Sequence, residues 1–359
     1  MGMSSVVPAP RTTPTLHAVA CIAGVSVSTA SRCLSGAAKV AKSTERRILA
    51  AAKATGYHHN ILVGQVMRAT RLGSAHNHLG TIAFVTPVAD AHEWRATPTL
   101  ASNWEAARAR AESFGFSISE FTLDSEGMTG RRLGEILTAR GISGVLLAAF
   151  PETPHKITLP WDDFAYVQVG HRLKAPRLDC VVSDHTEAVT LAARTIARHG
   201  CRRIGLAIEK YQDEITDGRW SLGYAGLRAS LPHLAEIPAL LPAQMTADVF
   251  LAWVDRHEVD CVLTLSTFRN EPNHMDAWLA GRDVGLASLD VTSVHADWSG
   301  VEQHSDEIGR AAVDLLFSKL QAGERGIPKL PRTLQVHGHW RDGRTLRRTL
   351  PVTEKAQSA

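Results

Sequence analysis

The sequence predicts an all-α N-terminal domain joined to an α/β body of two parallel-sheet lobes. Three observations carry this. Residues 15–36 hold two short helical patterns around a glycine turn. Basic charge gathers ahead of residue 76. From Gly80 onward, apolar strand-like runs alternate with amphipathic helical ones, the pattern of parallel sheets covered on both faces.

The first helix is marked by Leu16, Val19, Ala20 and Ala23 at helical spacing, with Thr15 in the N-cap position. Gly24 takes the left-handed turn that ends it, and Ser26 caps a second helix over Val27–Leu34. Val25, Ala30, Cys33 and Leu34 make the inner side of that helix; Val27, Ser28, Thr29, Ser31 and Arg32 make the outer side. Two helices about a tight turn form a helix-turn-helix, whose second helix fits a DNA major groove. The outer residue types suit that role. Ser26, Thr29 and Ser31 offer hydroxyls to phosphate oxygens, and Arg32 has the fork that matches a guanine edge. Val27 and Ser28 are placed to read bases by apolar contact and hydroxyl. From these residues alone, a helical hairpin with a polar solvent face is the competing reading.

Charge favours the DNA reading. The chain of 359 residues carries +3 overall, but residues 1–75 hold nine Lys and Arg against a single acid, giving +8 and leaving −5 on the rest. A basic head on a mildly acidic body is the footprint of a nucleic-acid module attached to another function. A third helix follows from Ser43/Thr44 to Gly56-Tyr57, patterned by Val40, Ile48, Leu49 and Ala52. Residues 60–68 form a weak helix by themselves, because Gly64 and the β-branched Ile61, Val63 and Val66 oppose it.

At this point the chain resembles the lactose-repressor (LacI/GalR) family of bacterial transcription regulators. The resemblance rests on Ala23 to Gly36 (AGVSVSTASRCLSG), Ser43 to Tyr57 (STERRILAAAKATGY) and the hinge led by Asn60. It implies that the hinge folds when two copies meet over an operator. It also implies that an apolar residue, at the position of Val66 with Met67 beside it, wedges into the minor groove. The implied partners are a near-palindromic DNA operator, a second copy of the chain and a small-molecule effector.

The body reads as strands at Thr81–Thr86, Ser117–Thr122, Val145–Phe150, Ala165–Val169, Cys180–Ser183, Ile204–Ile208, Val262–Leu265 and Val284–Leu289. Helices are expected at Leu100–Phe114, Thr129–Arg140, His185–His199, Trp220–Leu231, Ala247–Arg256 and Gln303–Leu320. So many elements exceed one sheet and predict two lobes with a ligand cleft beyond the strand ends. The family resemblance continues loosely here, at Val181–Asp184, Gly200–Ile204, Ser288–Asp290 and Val301–Ala312, and implies a periplasmic-binding-protein-like body. Asp290, at a strand end, and approximately Arg219 match the family's effector contacts; Asp184 and Trp220 are further candidates, and for each of the four a structural role, such as capping the next helix or a salt bridge, is the alternative. Ser266-Thr267 stands where the family has Asn-Asp, so the ligand class is left open. The expected organisation is a disordered arm at 1–13, a DNA-binding domain at 14–59, hinge and linker at 60–78, an effector-binding and dimerisation body at 79–345, and a flexible tail at 346–359.

No catalytic motif is evident, so the chain is not expected to be an enzyme, and no cofactor is expected. The competing classes are an architectural DNA-binding dimer without effector and an enzyme fused to a DNA-binding head. The five cysteines are scattered and read as buried free thiols. No metal site is expected: His58-His59, His76-Asn77-His78 and His337-Gly338-His339 lack a third ligand and read as linker segments. Neither a signal peptide nor a spanning apolar run is seen, so the expected location is the cytoplasm, and the family resemblance implies a bacterial cell and its nucleoid.

Overall fold

The computed structural model describes residues 15–34, 40–55, 57, 79–86, 95, 97–123, 128–148, 157–173, 175–268 and 271–346. The predicted arm at 1–13, the hinge and the linker histidines at 58–59 and 76–78 lie outside them.

The head comprises α1 (Leu16–Ala23), α2 (Val27–Leu34) and α3 (Lys42–Thr55). Val19, Ala20, Ala23, Ala30, Ile48, Ala51 and Ala52 form its small core. One correction concerns α3. Leu49 is 53% exposed, and Ala51 takes the inner place expected of it. Ile48, Ala51 and Ala52 are spaced three and four apart and share one helix face, whereas Leu49 is turned 100° away from Ile48.

The body begins with β1 (Gly80–Thr86), α4 (Pro98–Ser113), β2 (Phe116–Thr122), α5 (Gly130–Ala139), β3 (Gly144–Leu147), β4 (Ala165–Val169) and β5 (Cys180–Ser183). It continues with α6 (His185–Arg198), β6 (Ile204–Leu206), α7 (Lys210–Glu214), α8 (Arg219–Ser230), α9 (Ala247–Arg256), β7 (Cys261–Thr264), β8 (Thr267–Phe268), β9 (Glu271–Pro272) and α10 (Met275–Trp278). Last come β10 (Gly285–Ser288), β11 (Gly300–Glu302), α11 (Ser305–Ala322), β12 (Thr333–Val336) and β13 (His339–Arg341).

Lobe 1 is a six-stranded parallel sheet in the order β12-β5-β4-β3-β1-β2. Along β1, Ile82 and Phe84 pack under α4 and α11, while Ala83 and Val85 pack under α5. Successive strand side chains point to opposite faces, and both faces are covered, so the strand reads as a continuous apolar run. Lobe 2 has the order β13-β11-β10-β7-β6, with β13 antiparallel. Its faces are covered by α6 and α8 on one side and by α9 and α10 on the other.

Three segments cross between the lobes: β5 to α6 at Asp184, β11 to α11 at Gln303-His304, and β12 to β13 at His337-Gly338. The third corrects the reading of His337-Gly338-His339 as a linker. A Cβ at Gly338 would lie 2.9 Å from the Glu302 carbonyl oxygen, so glycine lets this crossing lie against β11. β11, β12 and β13 were not anticipated as strands, nor was the small β8–β9 hairpin. Leu346, assigned to the tail, is instead buried in the lobe 2 core, with its N–H donating to Ser299 Oγ at 3.2 Å. Cys21 is exposed rather than buried.

Candidate functional site

The helix-turn-helix is built by local capping. Thr15 Oγ1 accepts from the Ala18 N–H at 3.2 Å and starts α1. Gly24 ends it at φ 62°, with its N–H donating to the Ala20 and Cys21 carbonyls. Ser26 Oγ accepts from the Thr29 N–H at 3.1 Å and lies 2.7 Å from Thr29 Oγ1. The chain thus bends by 104° between α1 and α2. Ala30 is fully buried, with Val25, Cys33 and Leu34 half-buried beside it. Ser28, Arg32 and Val27 point to solvent, and Thr29 and Ser31 are half-buried. Arg32 Nε donates to the Ser28 carbonyl at 3.3 Å, which stretches the guanidinium back along α2. Asn60, Val66 and Met67 lie outside the described residues.

The second feature is a cavity of about 260 Å³ between the lobes. Lobe 1 contributes Thr99, Leu100 and Asn103 from α4, and His171 and Arg172 from the loop after β4. Lobe 2 contributes His185, Tyr211, Trp220, Ser266, Asp290 and Thr292. The floor is held by short polar links. Ser266 Oγ donates to the Asp290 carbonyl at 2.6 Å, and the Asp290 N–H donates to Ser288 Oγ at 3.1 Å. Burial pushes the Asp290 carboxyl up to about 6, and a hydrogen bond from Thr99 across the cleft lowers it only in part. Burial pushes His185 down to about 3, helped by His171 and the charge of Arg219, so this imidazole stays neutral at physiological pH. The His185 ring meets Trp220 edge-on at 4.5 Å.

Two buried polar atoms on lining residues, Asn103 Oδ1 and Thr292 Oγ1, have no hydrogen-bond partner among the described residues. Buried polar groups normally find partners, so these mark where a ligand's own polar groups would sit.

The four residues anticipated as effector contacts divide evenly. Trp220 and Asp290 line the cavity. Asp184 does not; its Oδ1 caps α6 by accepting from the Glu187 N–H at 3.0 Å. Arg219 opens α8 and is likewise absent from the lining; its charge acts on His185 from outside the cavity. Both sit at helix starts, where capping and packing compete with ligand binding for the same side chains. Asn103, Thr99, His171 and Thr292 went unmarked because single polar residues in helices and loops carry no motif. Among the described residues, no group of three or more His, Cys, Asp or Glu could hold a metal ion. No single described helix is long and apolar enough to cross a membrane.

The chain thus joins a helix-turn-helix with an outward polar face to two α/β lobes around a cavity. Residues 15–60 match the bacterial regulatory proteins of the lacI family. A curated relative, an uncharacterized HTH-type transcriptional regulator from the aml 5′ region of Streptomyces limosus, is 30% identical over 214 residues. That match covers 56% of this chain and 55% of the relative, so the chain spans about half the relative's length.

Solved structures share the fold of the body. A CelR transcriptional regulator in complex with cellobiose is 22% identical with a TM-score of 0.52, covering 93% of this chain and 100% of that one. The lac repressor dimer bound to operator and the anti-inducer ONPF is 16% identical with a TM-score of 0.50, covering 92% and 98%. The regulator CcpA of Lactococcus lactis is 12% identical with a TM-score of 0.56, covering 75% and 99%.

Proposed function

We propose that this chain is a sequence-specific transcription regulator, acting as a dimer on a near-palindromic operator and controlled by a small molecule bound between its lobes. Repression is the mode proposed. The observation that carries the reading is the outward face of α2, where Ser28 and Arg32 are exposed on a capped, basic helix-turn-helix. On DNA, the Arg32 guanidinium would leave the Ser28 carbonyl and take a guanine O6/N7 edge. Ser26, Thr29 and Ser31 would bond phosphate oxygens, and Val27 and Ser28 would meet base edges. Asn60, Val66 and Met67 are proposed for the operator centre, with the apolar pair opening the minor groove.

The cleft is proposed to take an uncharged, hydroxyl-rich ligand. Trp220 offers a ring face, and Asp290, Asn103, His185 and Thr292 offer polar contacts from both lobes. The cellobiose in the CelR complex makes sugars the first probes to try. A ligand that bridges the lobes would favour one lobe arrangement and so one spacing of the two heads. Asp184 and Arg219 are read as framework to the cleft. No catalytic role is proposed.

The test selects binding sites from a random duplex pool with the full chain, then measures affinity with and without mono- and disaccharides. Recovery of a palindromic motif whose affinity shifts with a sugar supports the reading. Binding with no sequence preference would overturn it.

A further inference from the structure

The crossings between the lobes carry an unusual pair. His304 lies between β11 and α11, and His339 opens β13. Their rings stack with centroids 4.6 Å apart and planes 22° from parallel, and His339 Nδ1 lies 2.7 Å from His304 Nε2. This contact ties the start of a lobe 1 helix to a lobe 2 strand. His304 is held at φ 51° and ψ 55°, a left-handed conformation costly for a residue with a side chain.

Two ring nitrogens at 2.7 Å require one N–H and one lone pair. Glu302 Oε2, 3.8 Å from His339 Nε2, favours a proton on that nitrogen. His339 Nδ1 is then the acceptor, and His304 Nε2–H donates to it. A first added proton goes to the far nitrogen of His304 and leaves the bond intact. A second must go to His339 Nδ1, setting two N–H groups head to head on two charged rings.

The surrounding charges do not remove that conflict. From β11, Glu302 is shared with Arg341 of β13 at 3.4 Å. From α11, the first-turn acids Asp306 and Glu307 are both paired with Arg310. At the neighbouring crossings, Asp184 and His337 face each other at 3.8 Å.

We propose that His304 and His339 form a proton-sensitive latch between the lobes, closed while a single proton lies between the facing nitrogens and released when both rings are charged. Acidification would therefore shift the lobe equilibrium with no ligand present. The latch depends on neither DNA nor effector, so it stands or falls separately from the regulatory reading.

The test is hydrogen–deuterium exchange on the full chain between about pH 8 and about pH 5, the range in which histidine changes charge, corrected for intrinsic exchange. In the wild type, protection of the amides at 303–305 and 337–340 should fall by about tenfold or more. His304→Asn and His339→Gln should each remove that dependence; asparagine is chosen because it tolerates the left-handed backbone. Imidazole ¹⁵N NMR of the wild type gives a second reading that needs no variant. Closed, the facing pair should show one protonated and one unprotonated nitrogen, His304 Nε2 and His339 Nδ1, and on release both should carry a proton. Unchanged wild-type protection, an equal loss in the variants, or facing nitrogens that do not share a single proton at neutral pH would each overturn the latch.

Discussion

Lys319 Nζ lies 2.5 Å from Asp179 Oδ2, and both side chains are shut away from solvent. Arg332 closes the group from outside, with its N–H and guanidinium both donating to Asp179. This ties α11 to the segments leading into β5 and β12, at the edge of lobe 1. Lys319→Met would leave Asp179 with Arg332 alone and should cost about 2–3 kcal/mol, read by urea unfolding at neutral pH.

The same pair sets an acid limit. Burial alone would raise the Asp179 carboxyl, but the hydrogen bonds from Arg332 and Lys319 outweigh it and hold it down to about 2. A carboxyl held lower in the folded state adds stability above its unfolded value of about 4, and that stability is lost as pH falls through about 2. Asp179→Asn should flatten the unfolding curve over that window, measured as the urea midpoint against pH.

Asp290 has the opposite sign. Its folded value of about 6 lies above the unfolded one, so the folded state binds the extra proton and stability falls as pH rises from about 4 to about 6. Asp290→Asn should stabilise the ligand-free protein at neutral pH by up to about 3 kcal/mol. The same variant should weaken binding of any sugar that shifts the wild-type melting temperature. Unfolding at acid and neutral pH, with and without sugar, separates the two effects.

Gly309 allows α11 to lie directly on α4. A Cβ there would sit 2.1 Å from the Asn103 carbonyl oxygen. Gly309→Ala should therefore destabilise lobe 1 by about 1–3 kcal/mol and displace Asn103 at the cleft. Thermal unfolding measures the first effect, and a ligand titration the second.

Arg32→Ala should cost about 1–3 kcal/mol of operator affinity and relax preference at one base pair. Lys42→Ala should weaken binding to all sequences and lower the salt slope. Fluorescence anisotropy on selected and scrambled duplexes distinguishes these two behaviours.

The head was legible because its signals are local. Thr15, Gly24 and Ser26 each act on backbone within a few residues, and the sequence shows them side by side. The parallel strands were legible as apolar runs because both faces of each sheet are covered. β12 was not: its residues are mostly exposed, and it is a strand only because β5 lies beside it. The latch pair was illegible for the same reason. His304 and His339 are separated by 35 residues and meet only once α11 and β12 have run out along lobe 1 and back. Strand-end and helix-start logic points to Trp220 and Asp290, and both line the cavity. That logic also selected Asp184 and Arg219, which the fold uses for capping and for tuning His185.

The β5–β12 pairing also orders the protein's birth. Thr333 to Val336 complete a sheet begun at Gly80, and His339 to Arg341 complete the other, so both lobes wait on nearly the same late stretch of translation. The three-helix core closes at Tyr57, more than two hundred residues sooner. A ribosome making this chain thus carries a folded three-helix head ahead of two unfinished sheets, and the cavity between the lobes closes only when the final strands emerge.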